Sequence, residues 1–263
     1  MNLAEQLEAL RSRGFDEGSA QAVVLLREAT VLLFEAYPGS FVLHGGANLI
    51  LFHDSLRTSR DLDLLSRGTA LPKTEEITKV LSAGLQELGG LLGLTPLTAK
   101  VNVAEPGFLK LEIVDKDDRS LFTVDFGGLG SVLGSGIEEH RLEGVSRTSA
   151  VTIWAVSRDH LLLMKAEAFL FRRGVKTRDA YDIKLLQDAG AVLSGELENH
   201  LADALAMREI AREEVIARIA QVTTRLCRVQ LADVLPAREY KALERAEFEP
   251  LREAVRKLFH KCL

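Results

Sequence analysis

The apolar residues of this chain change period once, near residue 156, and that change limits the folds open to it. Up to that point, short apolar or alternating runs read as strands set between helices: Phe41-Val42-Leu43, Asp61 to Leu65, Phe108 to Val114 and Leu121 to Phe126. From Ser157 to the end, apolar residues recur at helical spacing instead. The expectation is an α/β (α+β) unit over residues 1–156, with a mixed sheet and flanking helices, followed by a helical domain over residues 157–263.

Within the first part, residues 1 to 36 read as two helices, carried by Leu3, Leu7 and Leu10 and by Val23, Val24, Leu26, Val31 and Leu32, with Gly14 and Gly18 breaking them apart. Tyr37-Pro38-Gly39 is a turn, Gly45-Gly46 opens a helix that runs through Phe52, and Pro72 to Leu88 reads as a further helix. Val101-Asn102-Val103 is another strand, set off by Glu105-Pro106-Gly107, and Asp115 to Arg119 is a charged turn. A Gly-rich loop, Gly127 to Gly136, leads to a strand near Val151 to Ala155. In the helical part the expected breaks are Gly174, Gly190 and Pro236.

Composition removes several functional classes. The 263 residues, 47% of them hydrophobic, suffice for two domains. No apolar run approaches the roughly 20 residues that span a bilayer. The start, Met1-Asn2-Leu3-Ala4-Glu5, has neither the cationic nor the apolar region of a signal peptide, so a cytoplasmic protein without a membrane partner is expected. A net charge of −5 argues against a general nucleic-acid coat. Beyond Thr223 nine Lys and Arg stand against six Asp and Glu, while the rest of the chain taken together is acidic, so an RNA-facing surface would lie there, although such mixed-charge helices are more often solvated faces. Cys227 and Cys262 lack the paired spacing of a zinc or disulfide framework and read as free thiols.

Four segments carry candidate chemistry. His44-Gly45-Gly46-Ala47 joins a strand to a helix, where glycines allow a sharp turn and the helix start favours phosphate; alone, such a pair is more often simple turn punctuation. In Arg57-Thr58-Ser59-Arg60-Asp61-Leu62-Asp63, the two aspartates sit two apart on a strand and so share one face. Two like charges that close need a cation, and hard oxygen ligands suit magnesium, although a bare Asp-x-Asp is commonly a solvated pair balanced by Arg57 or Arg60. Asp125 lies in the otherwise apolar strand Phe122 to Phe126, where a carboxylate either faces solvent at an edge or faces a cation; Glu112 is the second choice for that role. Finally, Lys165 shares a helical stripe with Leu162 and Phe169, and Asp182 lies near Leu185 and Leu186 in the next helix, where the ordinary alternatives are a snorkelling lysine and an Arg178 to Asp182 pair.

Taken in order, the Gly45-Gly46 pair, Arg57, Ser59, Asp61 and Asp63, Asp125, Lys165 with Ala168, and Arg178, Asp179 and Asp182 resemble the AbiEii family of nucleotidyltransferase toxins within the DNA polymerase beta-like superfamily. The likeness runs from about Phe41 to Leu186. One position departs from it: where the family usually has a threonine or serine after the two glycines, this chain has Ala47.

The resemblance implies a polymerase beta-like mixed sheet, a helical domain that completes the active-site cleft, and transfer of a nucleoside monophosphate from an NTP to a hydroxyl. It implies Mg2+ or Mn2+ at Asp61, Asp63 and Asp125, with Asp125 completing a second metal site or accepting the proton of the attacking hydroxyl. Lys165, oriented by Asp182, would steady the phosphates, with Gly45, Gly46, Arg57 and Ser59 also in the nucleotide site. A tRNA 3′ end as acceptor and a cognate antitoxin as partner follow from the same likeness. Three rivals stand beside it: a small-molecule nucleotidyltransferase with an aminoglycoside-like acceptor, a non-catalytic nucleotide-binding protein, and a structural interaction module. Replacing Asp61 or Lys165 by alanine is expected to abolish transfer and leave the fold intact.

Overall fold

The computed structural model describes residues 2–68, 71–128, 136–145 and 149–260. Contacts divide the chain into two units, Met1–Val156 and Ser157–Leu263.

The first unit begins with α1 (Leu3–Ser12), whose start is fixed by a reciprocal pair: Asn2 Oδ1 accepts from Glu5 N–H and Glu5 Oε2 accepts from Asn2 N–H, each at 3.0 Å. The chain turns at Gly14, at φ +97°. Asp16 then caps α2 (Glu17–Ala36), its Oδ1 accepting the Ser19 N–H at 2.8 Å. Gly18 therefore does not separate the two helices; it lies inside the first turn of α2, because a carboxylate two residues earlier has already satisfied the helix's free N–H groups. Helix α2 is apolar around most of its circumference, with Val24, Leu25, Leu26, Leu33 and Phe34 all buried, as suits a central core helix.

The remaining elements are β1 (Phe41–His44), α3 (Gly45–Phe52), β2 (Asp61–Ser66), α4 (Thr74–Gly84), α5 (Gln86–Leu91), β3 (Thr98–Glu105), β4 (Phe108–Val114), β5 (Ser120–Gly128), β6 (Ile137–Glu143) and β7 (Ala150–Val156). The strands form one sheet in the order β3-β4-β5-β2-β1-β7-β6. It is mixed: β1 with β7 and β2 with β5 are parallel, the other neighbours antiparallel. One face is core, where Leu62, Leu64, Leu111, Val124 and Phe126 are buried and Phe41 of β1 packs on Phe126 with ring centroids 5.2 Å apart.

Three expectations change. The helix read over Pro72 to Leu88 is two helices, α4 and α5, meeting at Leu85. The strand read at Val101 to Val103 extends over Thr98–Glu105. Of the Gly-rich loop, Gly127 and Gly128 belong to β5, and residues 129–135 lie outside the described residues; beyond them is β6, a strand the pattern did not reveal. Its sequence, Ile-Glu-Glu-His-Arg-Leu-Glu, breaks the period-two rule because β6 ends the sheet, and edge strands carry charge where central strands carry apolar side chains.

The second unit consists of α6 (Arg158–Phe171), α7 (Thr177–Asp188), α8 (Glu196–Met207), α9 (Arg212–Ala220), α10 (Thr224–Leu231), α11 (Ala237–Arg245) and α12 (Glu249–Phe259). Helix α6 meets α12 through the stacked rings of Phe169 and Phe259, and α7 is tied to α10 where Thr177 N–H donates to Gln230 Oε1 at 2.8 Å. Among the described residues no helix is long and apolar enough to cross a membrane. Cys227 is a buried free thiol, and burial pushes it up to about 11 against the pull of Arg252. Cys262 lies outside the described residues.

Candidate active site

The first unit gathers its candidate residues through strand register. Asp63 of β2 stands opposite His44 of β1 and opposite Asp125 of β5, and Asp125 stands opposite Lys110 of β4. Four strands thus present His44, Asp63, Asp125 and Lys110 as one rung across the sheet. Asp61, two residues before Asp63, occupies the next rung with Thr123 and Glu112. Because side chains alternate along a strand, all these groups lie on the face opposite the buried Leu62, Leu111 and Val124.

Several of them are tied to one another. Thr123 Oγ1 donates to Asp61 Oδ1 at 3.1 Å, and Lys110 Nζ donates to Asp125 Oδ2 at 2.8 Å. The other Asp125 oxygen is buried and has no hydrogen-bond partner among the described residues. Lys110 is held above the ordinary lysine value: burial opposes its charge, but the bond to Asp125 and the charges of Asp125, Asp61 and Asp63 outweigh that. The ammonium therefore senses all three carboxylates. Glu112, the second choice for the third acid, stays on the neighbouring rung opposite Thr123.

The start of α3 abuts this row. Gly45 has φ +68°, and a Cβ built there would meet Asp63 Oδ2 at 2.1 Å; a Cβ at Gly46 would meet Ser59 Oγ at 2.4 Å and Arg57 Nη2 at 3.0 Å. Only glycine lets the backbone approach so closely. Arg57 and Ser59 are themselves buried, with Arg57 Nη1 donating to Thr58 C=O at 3.0 Å. The Ser59 hydroxyl donates to Asp61 C=O at 3.3 Å and accepts from Asp61 N–H at 3.4 Å, so Ser59 shapes the entry to β2. Asn48 braces the helix, its Nδ2 donating to Leu43 C=O at 3.2 Å and Val156 C=O at 2.9 Å. Ala47 is buried in the core. This position therefore offers no hydroxyl, and an anion at this helix start would depend on backbone N–H groups, since the first turn of a helix gives them no intrahelical acceptor.

The chemistry of this face suits a divalent cation. Its donors are hard carboxylate oxygens, and one of them, Asp125 Oδ1, is buried without a hydrogen-bond partner among the described residues. No group of three or more His, Cys, Asp or Glu side chains among the described residues could by itself hold an ion. Any ion on this face would therefore need oxygens beyond these side chains, from water or a bound phosphate.

The second unit contains a separate charged cluster. Lys165 of α6 is only 8% exposed and its Nζ lies 2.7 Å from Asp182 Oδ2 and 3.8 Å from Asp179 Oδ1, both on α7. Asp182 and Asp179 are 0% and 1% exposed. Arg172, just past the end of α6, donates to Asp179 Oδ2 at 2.8 Å. Burial pushes the Asp179 carboxyl up, against the pull of Lys165 and Arg172. The lysine does not snorkel: its acids come from the adjoining helix, where a search of its own helix at i±4 could not find them.

Lys110, Thr123 and Arg172 were not singled out from sequence. Lys110 had one visible signal, its outward place on the alternating strand Phe108–Val114. Arg172 had none, since its partner is set by how two helices meet.

The family model described as nucleotidyl transferase AbiEii toxin, type IV TA system, matches residues 29–261. Among solved structures, MenT4, a nucleotidyltransferase toxin from Mycobacterium tuberculosis H37Rv, is similar at 17% identity and a TM-score of 0.51, covering 97% of this chain and 97% of its own. JHP933 from Helicobacter pylori is similar at 14% identity and a TM-score of 0.53, covering 94% of this chain and 97% of its own. No curated protein sequence matches the chain.

Proposed function

We propose a reaction for this chain, which belongs to the family of nucleotidyl transferase AbiEii toxins: it transfers a nucleoside monophosphate from an NTP to an RNA hydroxyl, with the 3′ end of tRNA as acceptor, and releases pyrophosphate. The observation that carries this reading is the contact of Gly45 with Asp63, which sets a helix start, the natural seat of a phosphate, directly against the carboxylate row.

Phosphoryl chemistry asks mainly for positioning and charge neutralisation. Asp61 and Asp63 would hold Mg2+ or Mn2+, which neutralises triphosphate charge and polarises the reacting phosphorus when bound. The backbone N–H groups at Gly45 and Gly46 would seat phosphate oxygens. Asp125 would complete a second metal position or accept the proton of the attacking hydroxyl. Arg57 supports the Gly46 backbone from the edge, and Ser59 fixes the carboxylate strand where it begins. Lys165, oriented by Asp182, would steady the phosphates. A cognate antitoxin would restrain this activity in the cytoplasm.

The test is transfer of each labelled NTP to total RNA from growing cells, with and without chelation of the metal. Label on tRNA that needs both wild-type protein and metal supports the reading. NTP binding with no label on any RNA would move the acceptor to a small molecule or remove catalysis altogether.

A further inference from the structure

The reaction as drawn leaves one acid of the Arg178 to Asp182 segment without a task. Asp179 lies one turn before Asp182, and both carboxylates reach Lys165, yet on unequal terms: 2.7 Å for Asp182 and 3.8 Å for Asp179. The longer contact is beyond hydrogen-bond reach, and Asp179 Oδ1 has no hydrogen-bond partner among the described residues although it is buried. Its other oxygen is taken by Arg172 at 2.8 Å. Charges therefore alternate Arg172, Asp179, Lys165, Asp182 across the junction of α6 and α7.

A buried carboxylate with an open oxygen is drawn toward the nearest cation, since neither solvent nor another donor satisfies it. For the open oxygen, Oδ1, that cation is Lys165 at 3.8 Å, and an ammonium has three N–H donors. With both acids closed on it, little of its charge would remain for an incoming phosphate. Arg172 opposes that closure through the other oxygen of Asp179, and its planar guanidinium holds a carboxylate in a defined direction where a flexible ammonium would not.

We infer that Arg172 is a positioning residue which, by holding Asp179 away from Lys165, keeps that lysine available to the triphosphate. The inference rests on the proposed role of Lys165. It differs from a purely structural bridge in one respect: a bridge contributes stability, whereas this one decides how much charge Lys165 offers a ligand.

The experiment uses the full chain and mant-labelled ATP, GTP, CTP and UTP as probes, with direct binding and steady-state transfer measured for each variant. Arg172→Met is expected to weaken nucleotide binding roughly tenfold and to raise KM with little change in kcat, the size of one modest ionic interaction. Arg172→Lys should recover part of the loss. Asp179→Asn, which removes the competing anion, should bind nucleotide at least as well as wild type, and Arg172→Met combined with Asp179→Asn should return close to wild-type affinity. The double variant also keeps the test sound if Arg172→Met folds poorly, because it leaves no unpaired carboxylate. Unchanged binding in Arg172→Met, weakened binding in Asp179→Asn, or a double variant as weak as Arg172→Met would each overturn the inference. Lys165→Met separates the two levels: if it binds nucleotide like wild type, the role of Lys165 itself falls and the inference with it, whereas a defect in Lys165→Met without one in Arg172→Met removes the inference alone.

Discussion

Lys110 Nζ lies 2.8 Å from Asp125 Oδ2, bridging two strands whose residues are opposite in register, while the second oxygen of Asp125 is buried with no hydrogen-bond partner among the described residues. The acid in the apolar strand thus faces a cation supplied by the chain itself, and the carboxylate row of β4, β5 and β2 is partly neutralised before any ligand arrives.

Removing that cation should disturb both stability and chemistry. Lys110→Met is expected to lower the unfolding free energy by about 1–2 kcal/mol, since a part-exposed pair contributes little but its loss leaves a largely buried carboxylate. Urea unfolding at neutral pH measures the difference. Lys110→Arg, which keeps the charge, should lose less; equal losses in the two variants would mean that packing, and not charge, sets the effect.

Asp61 and Lys165 should behave differently on substitution, contrary to the simple expectation from sequence that alanine at either leaves the fold intact. Asp61→Asn removes a part-exposed carboxylate of the proposed metal site and should cut kcat by roughly 10²-fold or more with a small change in stability, in line with other groups that stabilise transition-state charge. Lys165→Ala strands two buried carboxylates and should cost about 3–5 kcal/mol, the scale for breaking a buried pair. Thermal unfolding of the two variants side by side distinguishes them, and an undiminished Tm for Lys165→Ala would contradict the buried cluster.

Gly45 and Gly39 share a left-handed backbone, at φ +68° and +71°, but an added Cβ at Gly45 meets Asp63 Oδ2 at 2.1 Å and at Gly39 meets nothing within 4 Å. Gly39→Ala should show only the conformational cost, about 1 kcal/mol. Gly45→Ala should cost more and should also abolish transfer, because the side chain that must give way is Asp63. Equal stability loss in the two variants, read by urea unfolding, would place the Gly45 constraint in the backbone alone.

Asp16 provides a pH test of the start of α2. Its carboxyl is held below the ordinary value chiefly by the Ser19 N–H, which outweighs an opposing effect of burial, with the Ser19 hydroxyl adding to the lowering. A lowered acid in the folded state stabilises fully above the ordinary carboxylate value and loses that contribution as pH falls through the lowered one. Asp16→Ala should therefore cost about 1 kcal/mol at pH 7, the usual worth of such a cap, with the difference from wild type vanishing in strong acid. A difference that persists undiminished at about pH 2 would assign the effect to something other than the charged cap.

What the sequence by itself determined is whatever depends on neighbours along the chain. The alternation around Leu62 placed Asp61 and Asp63 on one face, the glycine pair marked the turn into α3, and helical spacing over Ser157 to the end marked the second unit, because these periods are properties of a few consecutive residues. Tertiary structure decided everything that needs two distant segments to meet. Strand order and register put Lys110 against Asp125, and Asp125 beside Asp63, across sequence gaps that no local period encodes. The packing of α7 on α6 gave Lys165 its two acids and gave Asp179 its arginine. The edge strand β6 is illegible in the sequence for the same reason: its charged residues read as a strand only once β7 lies beside it at the end of the sheet.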